Sequence, residues 1–149
     1  MNYIRRQSEE DWQLFEIVRP TGRMPFSIAL KAADTIERVQ IYNQCRLLIA
    51  GGVPANTERG NPSLRAWSAK CKGCRTKTTF WILREVEHGW RMYLVANEPK
   101  REVYFLWAVQ KKKDKRDISD FQRLCNFKDE LDAGEAHCVK FNIPERIRA

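Results

Sequence analysis

The hydrophobic pattern changes period twice along the chain. Residues Trp12 to Val18 (WQLFEIV) carry Trp12, Leu14 and one of Ile17 or Val18 at apolar positions, the pattern of a short strand. Arg19-Pro-Thr-Gly22 ends it with proline and glycine. From Pro25 the spacing becomes helical: Phe26, Ala29, Leu30 and Ala33 recur at i, i+3, i+4, and proline suits the first helical position. Asp34 or Thr35 can cap a second helix, continued by Ile36, Val39, Ile41 or Tyr42, Leu47, Leu48 and Ala50 until Gly51-Gly52 stops it. Val53 to Pro62 is a polar loop, and Ser63 to Cys74 gives no clear pattern. Beyond it the residues turn β-branched and aromatic: Thr78 to Glu85, Trp90 to Ala96 and Arg101 to Gln110, separated by turns at Glu87-His88-Gly89 and Asn97 to Lys100. The last of these is almost continuously apolar, as expected of a central strand buried on both faces. Asp117 or Ser119 can cap a final helix holding Ile118, Phe121, Leu124, Cys125 and Phe127, and the tail from Gly134 carries only weak signals.

This order predicts one α+β domain over residues 1–149. An N-terminal strand and helical pair precede a three-stranded antiparallel meander and a C-terminal helix, with the helices grouped against one face of the sheet.

Composition narrows the class. A chain of 149 residues that is 43% hydrophobic can bury a core without disulfides. The longest apolar run, Val103 to Val109, is far too short to span a membrane, and the N-terminal charges are followed by no secretory apolar segment. Five cysteines fit a reducing compartment better than a disulfide framework. The expectation is a cytoplasmic protein.

Charge adds a partner. The net charge is +8, and from Arg59 to Arg116 there are 15 basic against 5 acidic residues, whereas the rest of the chain is slightly acidic. A positive field concentrated in the middle of the chain favours a polyanion such as nucleic acid. Lys111, Lys112, Lys113, Lys115 and Arg116 crowd the exit of the apolar strand. Arg84 and Arg91 flank the turn at Gly89 closely enough to meet across an antiparallel ladder. Two facing arginines repel unless an anion lies between them, and the planar guanidinium is suited to holding a phosphate. The competing reading pairs the arginines with Glu85, Glu87 or Glu98 and leaves the lysines solvated. Trp81, Trp90, Tyr93, Tyr104 and Trp107 are interleaved with these cations; such rings can stack bases, although aromatics on strands more often pack.

The segment FWILREVEHGWRMYLVANEPKREVYFLWAVQKKKDKRDISDFQRL resembles the RelE/HigB/ParE superfamily of bacterial toxin components. It shares a strand ending in a basic residue, a tight turn, a Gly-aromatic-Arg opening to the next strand, and a hydrophobic strand ending in a Lys/Arg cluster before a C-terminal helix. The likeness is strongest over residues 80–124. It implies a type II toxin–antitoxin toxin, a ribosome-dependent mRNA endonuclease in which the RNA 2′-hydroxyl attacks the adjacent phosphate, with no cofactor and no metal. By position it assigns catalytic roles to Arg84, Arg91 and Lys112, and RNA contacts to Lys111, Lys113, Lys115 and Arg116. Its implied partners are a cognate antitoxin from an adjacent gene, of helix-turn-helix type, together with the ribosome and mRNA. Ile82 and Ile118 stand where RelE has a lysine and a tyrosine, which leaves His88 or Asp114 as the nearest candidate general base. A ParE-like or RNA-binding protein on the same scaffold, without catalysis, is the alternative. A third reading is a zinc-assisted nucleic-acid-binding domain. Cys71-Lys-Gly-Cys74 is half a zinc site, and the other half would have to come from Cys45, Cys125, His88 or His137-Cys138.

Overall fold

The computed structural model describes residues 11–54, 64–70, 77–111 and 118–144. Six strands form one sheet. In chain order the elements are β1 (Gln13–Val18), α1 (Pro25–Leu30), α2 (Thr35–Leu47), β2 (Leu64–Lys70), β3 (Lys77–Glu85), β4 (Trp90–Asn97), β5 (Glu102–Gln110), α3 (Ile118–Asp132) and β6 (His137–Lys140). The spatial order is β2-β3-β4-β5-β1-β6. β2 to β5 form an antiparallel meander, β1 inserts parallel to β5, and β6 closes the far edge antiparallel to β1.

The expected α+β class, first strand, helical pair, three-strand meander and final helix are all present. Two strands join the sheet that the pattern did not predict: β2, in the unassigned stretch, and β6, in the tail. The expectation that all helices share one face is corrected. α1 and α2 cover one face, where Phe26, Leu30, Ile41, Cys45 and Leu48 pack on Leu14, Leu83, Met92, Leu94 and Phe105. α3 covers the other, where Phe121, Leu124, Cys125 and Phe127 pack on Ile17, Phe80, Ile82, Tyr93 and Leu106. The reason lies in β4, whose first six residues are all buried. Successive side chains of a strand point to opposite faces, so such a run demands cover on both.

The helical pair is fixed by polar contacts as well as by packing. Asp34 accepts the Glu37 backbone N–H at 2.8 Å and caps α2. The start of α1 is held from the sheet: Glu16, buried on β1, accepts from the Ser27 hydroxyl at 2.6 Å and the Ser27 backbone N–H at 3.2 Å. Burial pushes the Glu16 carboxyl above its ordinary range, against the lowering effect of those bonds. Ile36 and Val39, expected among the apolar positions of the second helix, are instead exposed, and Ile41, Tyr42 and Cys45 carry its buried face.

The turn between β3 and β4 closes against the end of β5. Gly89 has φ of 78°, its carbonyl accepts the Lys111 N–H at 2.8 Å, and a Cβ there would stand 2.3 Å from the Lys111 carbonyl oxygen. Gly134 has a similar φ of 76° but open space around it. In urea unfolding, Gly134→Ala is therefore expected to cost about 1 kcal/mol for the left-handed backbone alone. Gly89→Ala should cost on the order of 2–3 kcal/mol, because a backbone atom cannot move aside. Equal losses would show that the Gly89–Lys111 approach does not constrain the turn.

Candidate anion-binding site

Arg84 and Arg91 are direct cross-strand partners, and the row continues to Val109 on β5. The neighbouring row on the same face is Ile82, Tyr93 and Trp107, which packs beneath α3. The two guanidinium groups therefore belong to the α3 side, and they face each other as the hairpin length predicts. Arg91 is 5% exposed, whereas Arg84 is half-buried and makes no hydrogen bond or ion pair among the described residues. A buried cation beside a second cation is costly unless negative charge is supplied.

Further cations reach the same end of the sheet. Lys111 leaves β5 there, its ammonium paired with Asp120 in the first turn of α3. Lys111 is thus pinned to the helix instead of standing free in solvent. Arg123 lies over the Trp107 ring, 4.5 Å from its centroid. Because β1 runs parallel to β5, its end brings Arg19 to this edge as well. Arg19 stacks on Phe127 at 4.9 Å and bonds Glu130 at 2.7 Å. Lys112, Lys113, Lys115 and Arg116, as well as Asp114, lie outside the described residues.

His88 is turned the other way. Glu85, Trp90 and Gln110 form one cross-strand row whose side chains face α2, two positions beyond Leu83, Met92 and Ala108. The His88 Nδ1 lies 3.1 Å from the Glu85 carboxylate, and the His88 backbone N–H donates to the same group at 3.0 Å. Trp90 Nε1–H donates to Glu37, and Gln110 Nε2 donates to Glu37 at 3.2 Å and to the His88 carbonyl at 2.9 Å. The structure brings Arg84 and Arg91 together but directs the His88 ring to the carboxylates of the opposite face. Desolvation disfavours the charged ring, yet the Glu85 bond and the charges of Glu85, Glu87 and Glu37 outweigh it and raise its pKa. Donor atoms of Glu85, Glu87 and His88 also lie within 4.8 Å of one another, a spacing that a divalent ion could bridge, although Glu85 is already engaged by His88.

Most of the interleaved aromatics are packing residues. Trp90 is buried against Glu37, Tyr93 stacks on Trp107 at 5.8 Å, Trp81 packs toward α2, and Tyr104 leans on Phe15. Trp107 alone of the five lies under an arginine among the described residues. Arg19 and Arg123 were not singled out by sequence reasoning. Their only sequence signal was a cation able to find an aromatic, and that does not specify which.

Among the described residues, Cys45, Cys125 and Cys138 lie apart from one another. Cys45 is buried on the α2 side, with burial raising its thiol to about 12, and Cys125 is buried under α3 on the opposite face. Cys138 lies on the edge strand β6, its thiol raised to about 11 by burial and by Glu102. Cys125 is disulfide-bonded, which departs from the expectation of free thiols throughout. Cys71 and Cys74 lie outside the described residues.

The His88 arrangement carries a pH signature. Its folded-state pKa is raised above 6.5, so its contribution to stability is complete below about pH 6.5 and is lost as pH rises through the folded value. The stability gap between the parent and His88→Asn, read by urea unfolding from pH 5.5 to 9, should narrow with increasing pH. A gap independent of pH would show that the imidazolium does not contribute.

No protein-family model matches the chain, and no curated protein matches it by sequence.

Proposed function

We propose that this chain is the toxin of a type II toxin–antitoxin pair of the RelE/HigB kind, a ribosome-dependent endonuclease acting on mRNA. The observation that carries the reading is the opposition of Arg84 and Arg91 at one end of the sheet, on the side reached also by Arg123. A phosphate between them would relieve their repulsion, and it would do so more strongly as charge builds on it in the transition state. In the reaction the 2′-oxygen forms a bond to the adjacent phosphorus while the bond to the 5′-oxygen of the next nucleotide breaks. Preorganised cations stabilise the charge on the phosphoryl oxygens. Lys112, to which the resemblance assigns a catalytic role, would add a further cation.

A second reading follows from a specific observation. His88, a candidate for the proton from the 2′-hydroxyl, is bonded to Glu85 on the other face. This favours the non-catalytic alternative, a ParE-like or RNA-binding protein on the same scaffold that does not cleave its partner.

Induced expression with mapping of mRNA 5′ ends, with and without translation, separates the two. New ends that depend on translation are expected; growth arrest without them would leave the non-catalytic reading. Arg91→Ala should reduce cleavage by a factor corresponding to about 2–4 kcal/mol of lost transition-state stabilisation. A folded Arg91→Ala protein as active as the parent would remove Arg91 from the reaction. If Lys112 and Lys113 grip phosphates, neutralising both should lower the salt slope of RNA binding by about one unit for each phosphate no longer gripped. An antitoxin should copurify when the neighbouring gene is co-expressed, since acidic groups over Arg84 and Arg91 would be favourable.

A further inference from the structure

Beside the arginine row, α3 and the end of β1 border an open cleft of about 470 Å³, lined by Arg19, Gln122, Arg123, Asn126 and Phe127. Its volume lies in the range of small-ligand sites. Three features decide what it would accept. First, the Arg123 guanidinium lies over Trp107, and it makes no hydrogen bond or ion pair among the described residues. Arg123 is exposed, so the outward face of its planar group is open to a second flat group. Second, the other cation is already neutralised: Arg19 holds Glu130 through both Nε, at 3.0 Å, and a terminal nitrogen, at 2.7 Å. The cleft therefore does not combine two free arginines, as a site for a bare phosphate would. Third, Gln122 Nε2 donates to Asn126 Oδ1 at 3.1 Å. That bond leaves the Gln122 oxygen as an acceptor and the Asn126 nitrogen as a donor, one helical turn apart.

An aromatic plane with a donor beside an acceptor on its edge, joined to an anionic chain, is the chemistry of a nucleotide. We propose that this cleft is a subsite for one base of single-stranded RNA. The base stacks on the outer face of the Arg123–Trp107 pair, its edge meets the Gln122 and Asn126 amides, and its backbone leads to Arg84 and Arg91. Trp107 lies one row along the sheet and one strand across from Arg91, a separation of about 8 Å at the usual strand rise and spacing. That is short enough for neighbouring groups of one RNA strand. The inference rests on the RNA reading above and identifies a positioning contact outside the phosphate site.

The test measures binding of a single-stranded RNA hexamer and of the same ribose-phosphate chain lacking bases. The parent should prefer the base-bearing strand, and Arg123→Ala should remove about tenfold of that preference while changing affinity for the abasic chain little. Arg123→Lys should behave like Arg123→Ala toward the bases, because an ammonium keeps the charge but not the plane. Equal weakening of both strands by Arg123→Ala, restored by Arg123→Lys, would overturn the proposal in favour of simple charge attraction. So would a base preference unaffected by either variant. If the parent cleaves no mRNA yet its base preference follows Arg123, the nuclease reading fails and the subsite stands. If the parent cleaves but the preference ignores Arg123, the subsite fails alone.

Discussion

The side chain of Arg91 is buried in β4, directly opposite a second arginine. The first six residues of β4 are all inaccessible, and Arg91 is the one cation among them. Helices must cover both faces to bury the run Met92 to Val95, and that cover removes Arg91 from water as well. A charge in this position is tolerated only with compensation nearby. Arg84 is its cross-strand neighbour, so the two guanidinium groups share one end of the sheet. Its rigidity follows from the same packing: Gly89 closes the turn on Lys111, and Asp120 ties Lys111 to the helix above.

The charged groups named above lie on two sides of the sheet. On the α2 side, Glu85, Glu87 and Glu37 raise the pKa of His88, and the Asp34 carboxyl is lowered chiefly by the Glu37 backbone N–H, with His88 adding to the shift. On the α3 side stand Arg84, Arg91, Lys111 and Arg123, with Arg19 at the sheet end; Lys111 pairs with Asp120 and Arg19 with Glu130.

How much of this was legible in the sequence depended on how local the signal was. The meander could be read from β-branched and aromatic runs between short turns, and the Arg84–Arg91 register from a hairpin whose length leaves little freedom. The first helix announced itself through Pro25, and the second through Asp34. β2 was hidden because LRAWSAK mixes Arg65, Ser68 and Lys70 with few large apolar residues, as edge strands do. β6 has only four residues, and it exists because β1 offers it a free edge. The side on which α3 packs was not encoded in its own periodicity; it followed from the two-faced burial of β4 and β5. Arg123 meets Trp107 and Arg19 meets Glu130 across the fold, at separations no local pattern reports.

If Arg84 and Arg91 form a preorganised anion site, a bound anion must stabilise the folded protein, and ligand-linked stability reads this directly. A ligand that binds only the folded state raises stability in proportion to the logarithm of its concentration above Kd. The thermal midpoint should rise with inorganic phosphate beyond the rise given by chloride at equal ionic strength. Arg84→Gln should lose that excess while being no less stable than the parent in low salt without phosphate, because a like-charge contact has been removed. An identical phosphate response in the two proteins, or none in the parent, would contradict the account.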